Sequence, residues 1–216
     1  MKKILLSTIF SLFLVLPAYS IGVNVGISGT TGVFHATGTE TEATEKSTDD
    51  ATGVVGYGSV FIEKTLGDRL LVGIDYVPDA LASETSESIV DDQKGVNDGA
   101  STRNTQKVQV DFKDLTTLYL GLNVTDNLYV KAGYVTVDVI TNESLGTGST
   151  YNNTDMSGEV FAVGYNKSFD NGMFARVEGS YMDLGSASVT ASNTDNKIEL
   201  KELEGMAGKI SIGKSF

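Results

Sequence analysis

The 216-residue sequence contains few side chains of the kinds that perform catalysis. It has no cysteine, which excludes disulfides, thiolate nucleophiles and cysteine-bound metals, and a single histidine, His35. Hydrolytic chemistry based on histidine would need a hydroxyl nucleophile beside it, and Thr30, Thr31 and Thr37 are the nearest in sequence. We interpret His35 as an exposed residue near the end of a strand and predict no catalytic residue.

Two acidic stretches contain the oxygen-bearing side chains that calcium prefers. They are Asp91 with Asp92, and Asn97 to Gly99, but their spacing misses the alternating ligand pattern of a calcium loop. The glycines from Gly53 to Gly58 belong to an alternating strand with no helix or lysine after it, unlike a phosphate-binding loop. The sequence therefore predicts no metal site and no cofactor.

The first twenty residues have the composition of a secretory signal. Met1 to Lys3 is positively charged, Ile4 to Leu16 is a short apolar run, and small residues precede a cleavage site after Ser20. The apolar run is too short to span a bilayer as a helix. We predict a cleavable signal peptide at residues 1–20 and one mature domain at residues 21–216.

The remaining chain alternates between apolar and small or polar residues, which is the period of a half-buried β-strand. Eight strands are predicted, at about residues 21–34, 54–64, 70–76, 108–122, 128–139, 161–165, 173–181 and 205–216. The apolar face of the fifth strand changes after Tyr134 to Val135, Val137 and Val139, which predicts a β-bulge. For the second strand the alternation does not decide which face points outward, because Tyr57 and Phe61 oppose Val60 and Ile62.

The connections between these strands alternate between long and short along the whole chain. Short turns on one side and long loops on the other are typical of membrane barrels, and lipid admits strands only as a closed sheet. The pattern predicts an all-β fold, an eight-stranded antiparallel up-and-down transmembrane β-barrel with short periplasmic turns and four long extracellular loops. A soluble β-sandwich is the alternative that alternation alone leaves open.

The two faces of the predicted strands differ in chemistry. Three strands that follow short turns end in Tyr76, Tyr134 and Tyr181, which we predict to be aromatic residues at a membrane interface. Charges of opposite sign lie on the other face and nearly balance. We predict that they form a charge network inside a lumen filled by side chains, made of Asp75, Asp111, Lys113, Lys131, Arg176, Glu178 and Lys209.

The predicted loops contain most of the negative charge of a chain whose formal net charge is −12. Residues 36–52 and 79–103 each have a net charge of −4, and residues 141–158 and 190–204 each have −2. Such a surface disfavours nucleic acid as a partner. Acidic, threonine-rich segments most often are solvated loops, and the functional alternatives are divalent-cation bridging to lipopolysaccharide, surface adhesion and phage binding.

Several segments together resemble the small eight-stranded outer-membrane proteins, such as the OmpA transmembrane domain, OmpX and the opacity proteins. These segments are the hairpins LGDRLLVGIDY, NVTDNLYVKAGY and SFDNGMFARVEGSY and the terminal strand KISIGKSF, where Lys214 departs from the usual apolar residue. The resemblance implies the bacterial outer membrane, with lipid, lipopolysaccharide and the barrel assembly machinery as partners of a monomer. It also implies that Gly208, Ile210, Ile212 and Phe216 form the signal that the machinery reads.

The expected role is a non-enzymatic structural or cell-surface interaction protein. A small porin-like diffusion channel is the alternative, and a lipid-modifying barrel enzyme that uses His35 is a third hypothesis. No peptidoglycan-binding domain is expected after Phe216.

Overall fold

The computed structural model describes residues 22–42, 45–78, 81–82, 86–93, 101–144, 151–192 and 196–216, so the predicted signal peptide lies outside the described residues. The described residues form the strands β1 (Val23–Glu42), β2 (Glu45–Leu66), β3 (Leu70–Tyr76), β4 (Leu81–Ala82), β5 (Ser86–Gln93), β6 (Ser101–Asn123), β7 (Leu128–Ser144), β8 (Thr154–Ser168), β9 (Met173–Asp183), β10 (Ala187–Thr190) and β11 (Lys197–Ser215). No helix in this part of the chain is long and apolar enough to cross a membrane.

The strands form one closed antiparallel sheet. The order around the ring is β1, β2, β3, β6, β7, β8, β9 and β11, and β11 pairs with β1 to close it. The short strands β4 and β5 pair with β6 beyond β3, and β10 pairs with β11 beyond β9, so eight positions remain in the wall. The predicted eight-stranded barrel is confirmed.

The two ends of the barrel differ in the length of their connections. At the short-turn end, three turns of three or four residues join β2 to β3, β6 to β7 and β8 to β9. Gly67 and Gly172 have φ angles of 64° and 79° there, a conformation that glycine adopts without strain. At the loop end the strands extend well beyond their predicted limits, so most of residues 36–52, predicted as a loop, is strand in β1 and β2.

An apolar band surrounds the outside of the barrel. Its most exposed side chains include Met206 at 71%, Leu120 at 65%, and Ile27 and Ile210 at 64% each. On β2, Val60 and Ile62 point outward, and Phe61 and Glu63 point into the barrel. The structure thus resolves the orientation that the sequence left open.

Toward the loop end, the apolar side chains move from the outside of the barrel to the inside. A buried apolar cluster fills the interior there, and we call it the apolar plug. It consists of Val77, Leu115, Val135, Val137, Val139, Met156, Met182, Leu184 and Leu203. Above the apolar band the barrel is therefore built like a soluble protein, with an apolar interior and a polar outer surface.

The predicted bulge in the fifth strand is wrong, and this inversion is the reason. β7 pairs with β8 in continuous register from Leu128 to Val139, so this part of the strand has no bulge. Odd-numbered residues face inward along it, which buries Val135 and Val137, and the even-numbered Tyr134 faces outward. A register shift occurs instead in β6, between Lys113 and Thr116. Asp114 has a φ of 53° at that point, as the extra residue of a bulge.

Inward-facing glycines accommodate aromatic rings and do not leave empty space. A Cβ atom added to Gly73 would lie 2.5 Å from the Tyr119 ring, and one added to Gly213 would lie 2.3 Å from the Phe174 ring. Gly164 accommodates Tyr129 in the same way. The lumen is consequently occupied by rings where the sequence has its smallest residues.

Candidate functional site: a charged layer inside the barrel

Six charged side chains point into the barrel from five strands, and we call them the charged layer. Glu63 comes from β2, Asp75 from β3, Lys131 from β7, Arg176 and Glu178 from β9, and Lys209 from β11. Strict alternation in each strand orients them inward, opposite the apolar residues that face outward. Three positive charges meet three negative charges, so the layer is formally neutral.

Glu63 is the centre of the layer and is fully buried. One of its carboxylate oxygens, Oε1, lies 2.6 Å from Nη1 of Arg176 and accepts a hydrogen bond of 2.8 Å from the Tyr119 hydroxyl. The other oxygen accepts a bond of 3.2 Å from the Asn24 side-chain amide. A buried carboxylate needs such partners, because charge inside a protein is costly unless it is paired and hydrogen-bonded.

Two further ion pairs complete the layer. The ammonium of Lys131 lies 2.8 Å from the Glu178 carboxylate and 3.7 Å from that of Glu63, so it bridges the two acids. Tyr129 donates a hydrogen bond of 2.9 Å to Glu178. Lys209, which occupies the position paired with Glu178 on the neighbouring strand β11, forms an ion pair of 2.9 Å with Asp75.

Aromatic rings enclose the cations of the layer. The Lys131 ammonium lies 4.5 Å from the centre of the Tyr119 ring and 5.1 Å from that of Tyr129. The Arg176 guanidinium lies 4.4 Å from the centre of the Phe174 ring. Cation–π attraction at these distances adds to the ion pairs.

The structure brings together five of the seven residues predicted for the lumen network, namely Asp75, Lys131, Arg176, Glu178 and Lys209. The prediction is wrong for Lys113, which is exposed, and Asp111 shares its side of the wall. Both precede the β6 bulge, where Phe112 between them packs against the apolar plug, so the bulge has exchanged the two faces.

Sequence reasoning missed Glu63, the most buried member of the layer. Alternation places Glu63 on the same face of the predicted strand as Tyr57 and Phe61. The sequence did not decide whether that face points inward or outward. Alternation with Leu118 and Leu128 already placed Tyr119 and Tyr129 on the inner face. They were missed because the predicted network was limited to charged side chains.

The charged layer and the apolar plug are stacked directly on each other. A cavity of about 30 Å³ lies between them, and its lining includes Asp75, Lys131 and Lys209 from the layer and Leu115 and Met182 from the plug. This space suits about one water molecule. Within the described residues, side chains therefore fill the interior at two successive levels, polar at the charged layer and apolar at the apolar plug.

The three predicted interface tyrosines all point outward, with 36% of Tyr76, 52% of Tyr134 and 36% of Tyr181 exposed. They lie where the apolar residues change from the outside to the inside of the wall. Tyr76 donates a hydrogen bond of 2.7 Å to Asp114, and Tyr181 donates one to Glu204. Their assignment to a membrane interface stays a prediction.

The residues predicted as an assembly signal lie on the outside of β11. Ile210, Ile212 and Phe216 are 64%, 53% and 73% exposed, and a Cβ on Gly208 would meet open space. The backbone of Phe216 exchanges two hydrogen bonds with Val23, of 2.9 and 3.2 Å, so the terminal residue is held against β1.

His35 lies outward near the loop end. Its Nδ1 atom is 3.2 Å from the Thr52 hydroxyl, and Glu204 occupies the paired position on the other neighbouring strand, β11. The Glu204 carboxylate accepts a hydrogen bond from Tyr181. In the part of the chain that the structure describes, no group of three or more histidine or acidic residues is arranged to hold a metal ion.

Comparison with solved structures identifies the architecture. The outer membrane protein OprG from Pseudomonas aeruginosa superposes with a TM-score of 0.54 and 13% sequence identity, over 90% of this chain and 95% of OprG. The outer membrane protein AlkL, solved in lipid bilayers, gives a TM-score of 0.51 and 12% identity over 93% of each chain. The fold is that of an eight-stranded outer-membrane β-barrel. No protein-family profile matches the chain, and no curated protein matches its sequence.

This fold explains the distribution of residues in the wall. The apolar band faces lipid, and within that band the strands satisfy their backbone groups through their neighbours in the closed sheet. The barrel belongs in the bacterial outer membrane. The charged layer lies within the part enclosed by the apolar band, and the apolar plug lies in the part that extends beyond it toward the loop end.

Proposed function

We propose that this chain is a non-enzymatic outer-membrane barrel with a closed interior, and that it has a structural or cell-surface interaction role. The observation that supports this proposal is the stacking of the charged layer and the apolar plug. A continuous water-filled path would have to cross both. An ion would meet paired charges at one level and a water-excluding apolar core at the next.

The acidic segments at the loop end are the part of the barrel that would meet partners. We propose that this end faces the cell exterior and the short turns face the periplasm. Candidate partners are lipopolysaccharide, through bridging divalent cations, and a protein or phage at the cell surface. We propose a monomer, since the wall is complete without a second chain.

A small diffusion channel is the alternative, and conductance measurement in planar bilayers separates it from the proposal. We expect purified protein to produce no stable openings under conditions in which a general porin does, because both interior levels are filled. Stable openings with a conductance that changes in Lys131→Ala but not in the exposed control Lys201→Ala would overturn the closed interior.

The lipid-modifying hypothesis is tested at His35. We expect His35→Ala to leave the lipid A profile of the host membrane unchanged, because the acid opposite His35 bonds to Tyr181 and does not complete a relay with His35 and Thr52. Mass spectrometry of extracted lipid A measures this. A modified lipid that disappears equally in His35→Ala and Thr52→Ala, but not in Thr48→Ala, would establish an enzyme.

Assembly is the proposed role of the terminal strand. We expect deletion of Phe216 to impair insertion and leave secretion intact, because the exposed ring is absent while residues 1–20 are unchanged. Fractionation and heat-dependent gel mobility measure the two steps separately. Phe216→Tyr is the conservative control, and normal insertion of the deletion variant would contradict the assignment.

A further inference from the structure

Two lysines end the apolar outer face of the barrel near its short turns. Lys167 lies two residues beyond the outward-facing Tyr165 on β8, and Lys214 lies two residues beyond the outward-facing Ile212 on β11. Alternation therefore directs both ammonium groups to the outside of the wall, and both side chains are exposed. Lys214 is also the residue at which the terminal strand departs from the usual apolar pattern.

The two lysines lie on either side of β9 at about the same height in the membrane. Lys214 is paired with Met173 and Lys167 with Ala175, so the lysines are two strands apart and offset by two residues. Because barrel strands tilt by about 35–45° and lie about 4.8 Å apart, an offset of about two to three residues over two strands brings positions level. The short turns show an offset in the same direction, since the start of β7 pairs with Tyr165, three residues before the end of β8.

Neither lysine has an acidic partner among the described residues. No side-chain or terminal carboxylate in that part of the chain forms an ion pair with Lys167 or Lys214, whereas every cation of the charged layer is paired. Asp170, the acid nearest to Lys167 in sequence, lies in the turn beyond β8. The Lys214 ammonium lies 5.5 Å from the centre of the Phe216 ring. Both positive charges are therefore available to an anion from outside the chain.

The surface around the two lysines is apolar. The large exposed side chains nearest to them are those of Tyr165, Phe169, Ile212 and Phe216. A lysine at the edge of an apolar surface lays its methylene chain along that surface and extends its ammonium toward the polar side. An amphipathic anion would use both parts of this surface, with its charged group on the ammoniums and its acyl chains along the apolar band. Inorganic phosphate would use only the charges, so the surroundings favour a lipid.

We propose that Lys167 and Lys214 together bind the headgroup of an anionic phospholipid in the leaflet at the short-turn end. Their Cα atoms are about 12 Å apart from the strand spacing and offset, so two flexible side chains can converge on one headgroup. Each ammonium would donate charge-assisted hydrogen bonds to phosphate oxygens, and anionic lipid attracts basic side chains at the membrane surface. The inference rests on the proposed orientation only for the identity of the leaflet, which is then the periplasmic one.

Native mass spectrometry of the full protein in detergent micelles tests this site, with dioleoyl phosphatidylglycerol and dioleoyl phosphatidylcholine as the probes. We expect the native protein to bind the first phosphatidylglycerol at least about tenfold more tightly than phosphatidylcholine, because two positive charges face the anionic headgroup. The double variant Lys167→Gln/Lys214→Gln keeps long polar side chains without the charge, and it should bring the two affinities within about twofold of each other. Lys167→Arg/Lys214→Arg should keep the preference.

The matched control removes two exposed positive charges from other parts of the barrel. It is Arg69→Gln/Lys201→Gln, with Arg69 in the turn between β2 and β3 and Lys201 on β11 toward the loop end. We expect this variant to keep the preference for phosphatidylglycerol, and heat-dependent gel mobility verifies that every variant is folded. The proposal is overturned if the native protein shows no preference, if the control loses it equally, or if Lys167→Gln/Lys214→Gln retains it.

The orientation is tested separately, so that its failure and the failure of the lipid site are distinguishable. The sequence has no cysteine, so Asp126→Cys in the turn between β6 and β7 provides a single labelling site. We expect a maleimide too large to cross the outer membrane to label this cysteine only in permeabilised cells. Labelling of intact cells would overturn the periplasmic leaflet, whereas the two lipid affinities alone decide whether the lysines bind an anionic headgroup.

Discussion

Replacement of Glu63 by alanine is expected to lower the free energy of unfolding by about 3–5 kcal/mol, the range for breaking a buried ion pair by removal of one partner. The variant would leave the Arg176 guanidinium, buried between aromatic rings, without its carboxylate. It would also remove the acceptor of the Tyr119 hydroxyl and one of the two acids that Lys131 bridges. The Asn24 amide loses its acceptor as well, so loss of one side chain leaves four interior groups with fewer partners.

Urea unfolding in lipid vesicles, followed by circular dichroism and by heat-dependent gel mobility, measures this change. Glu63→Gln is the graded comparison, since it retains an acceptor for Tyr119 and loses only the charge. Glu199→Ala is the matched control toward the loop end of β11, where the Lys197 ammonium donates a hydrogen bond to the half-buried Glu199 carboxylate and so lowers its pKa. We expect no measurable change there, because solvent screens exposed pairs. An effect of Glu63→Ala as small as that of the control would refute a central role for Glu63.

Replacement of Gly158 by alanine is expected to destabilise the loop end of the barrel by at least about 2 kcal/mol, within the range for overpacking a filled interior. A Cβ atom at this position would lie 1.8 Å from the carbonyl oxygen of Asp183 and 2.6 Å from the Cα of Leu184. Both obstacles are backbone, so no side-chain rotation relieves them. Leu184 is also fixed, because it packs in the apolar plug and its amide donates to the Leu203 carbonyl at 2.8 Å.

Gly179→Ala is the matched control on the neighbouring strand. Its added methyl group would meet nothing within 4 Å, on the outer surface of the wall. We expect it to be neutral or slightly stabilising, because glycine within a strand is less favourable than alanine. Hydrogen exchange at residues 182–190 and 200–204 should increase in Gly158→Ala and not in Gly179→Ala. If hydrogen exchange were the same in the two variants, the stability of the loop end would not depend on the close approach of β8 to the segment after β9.

The sequence predicted the number of wall strands and the positions of the short turns. Those features depend on local signals, such as the glycine and aspartate residues in Leu66–Asp68 and Asp170–Gly172 and the alternation of Leu70, Val72 and Ile74. Closure of the sheet by the terminal strand against β1 was predicted for a topological reason, because lipid permits no open edge. It did not require any knowledge of side-chain packing.

The composition of the charged layer required tertiary structure. Period-two alternation assigns residues to two faces, but it does not decide which face is the interior when both are partly apolar, as in β2. Glu63 was overlooked for that reason. Asp111 and Lys113 were assigned to the wrong face because the bulge at Asp114 exchanges the two faces within β6. The only local sign of it was Asp114 itself, a charged residue among the apolar positions of the predicted strand.

The few candidate catalytic residues and the balanced charges on one face of the strands were visible in the sequence by itself. The sequence also determined the barrel, because alternation and turn chemistry are local signals. Lipid contains no water to bond with unpaired backbone groups, so strands that cross it must form a closed sheet. Only the tertiary structure decided that Glu63 binds Arg176 and that Val135 and Val137 face inward. These outcomes depend on what surrounds a side chain in space, and the surroundings change from lipid to water along a single strand.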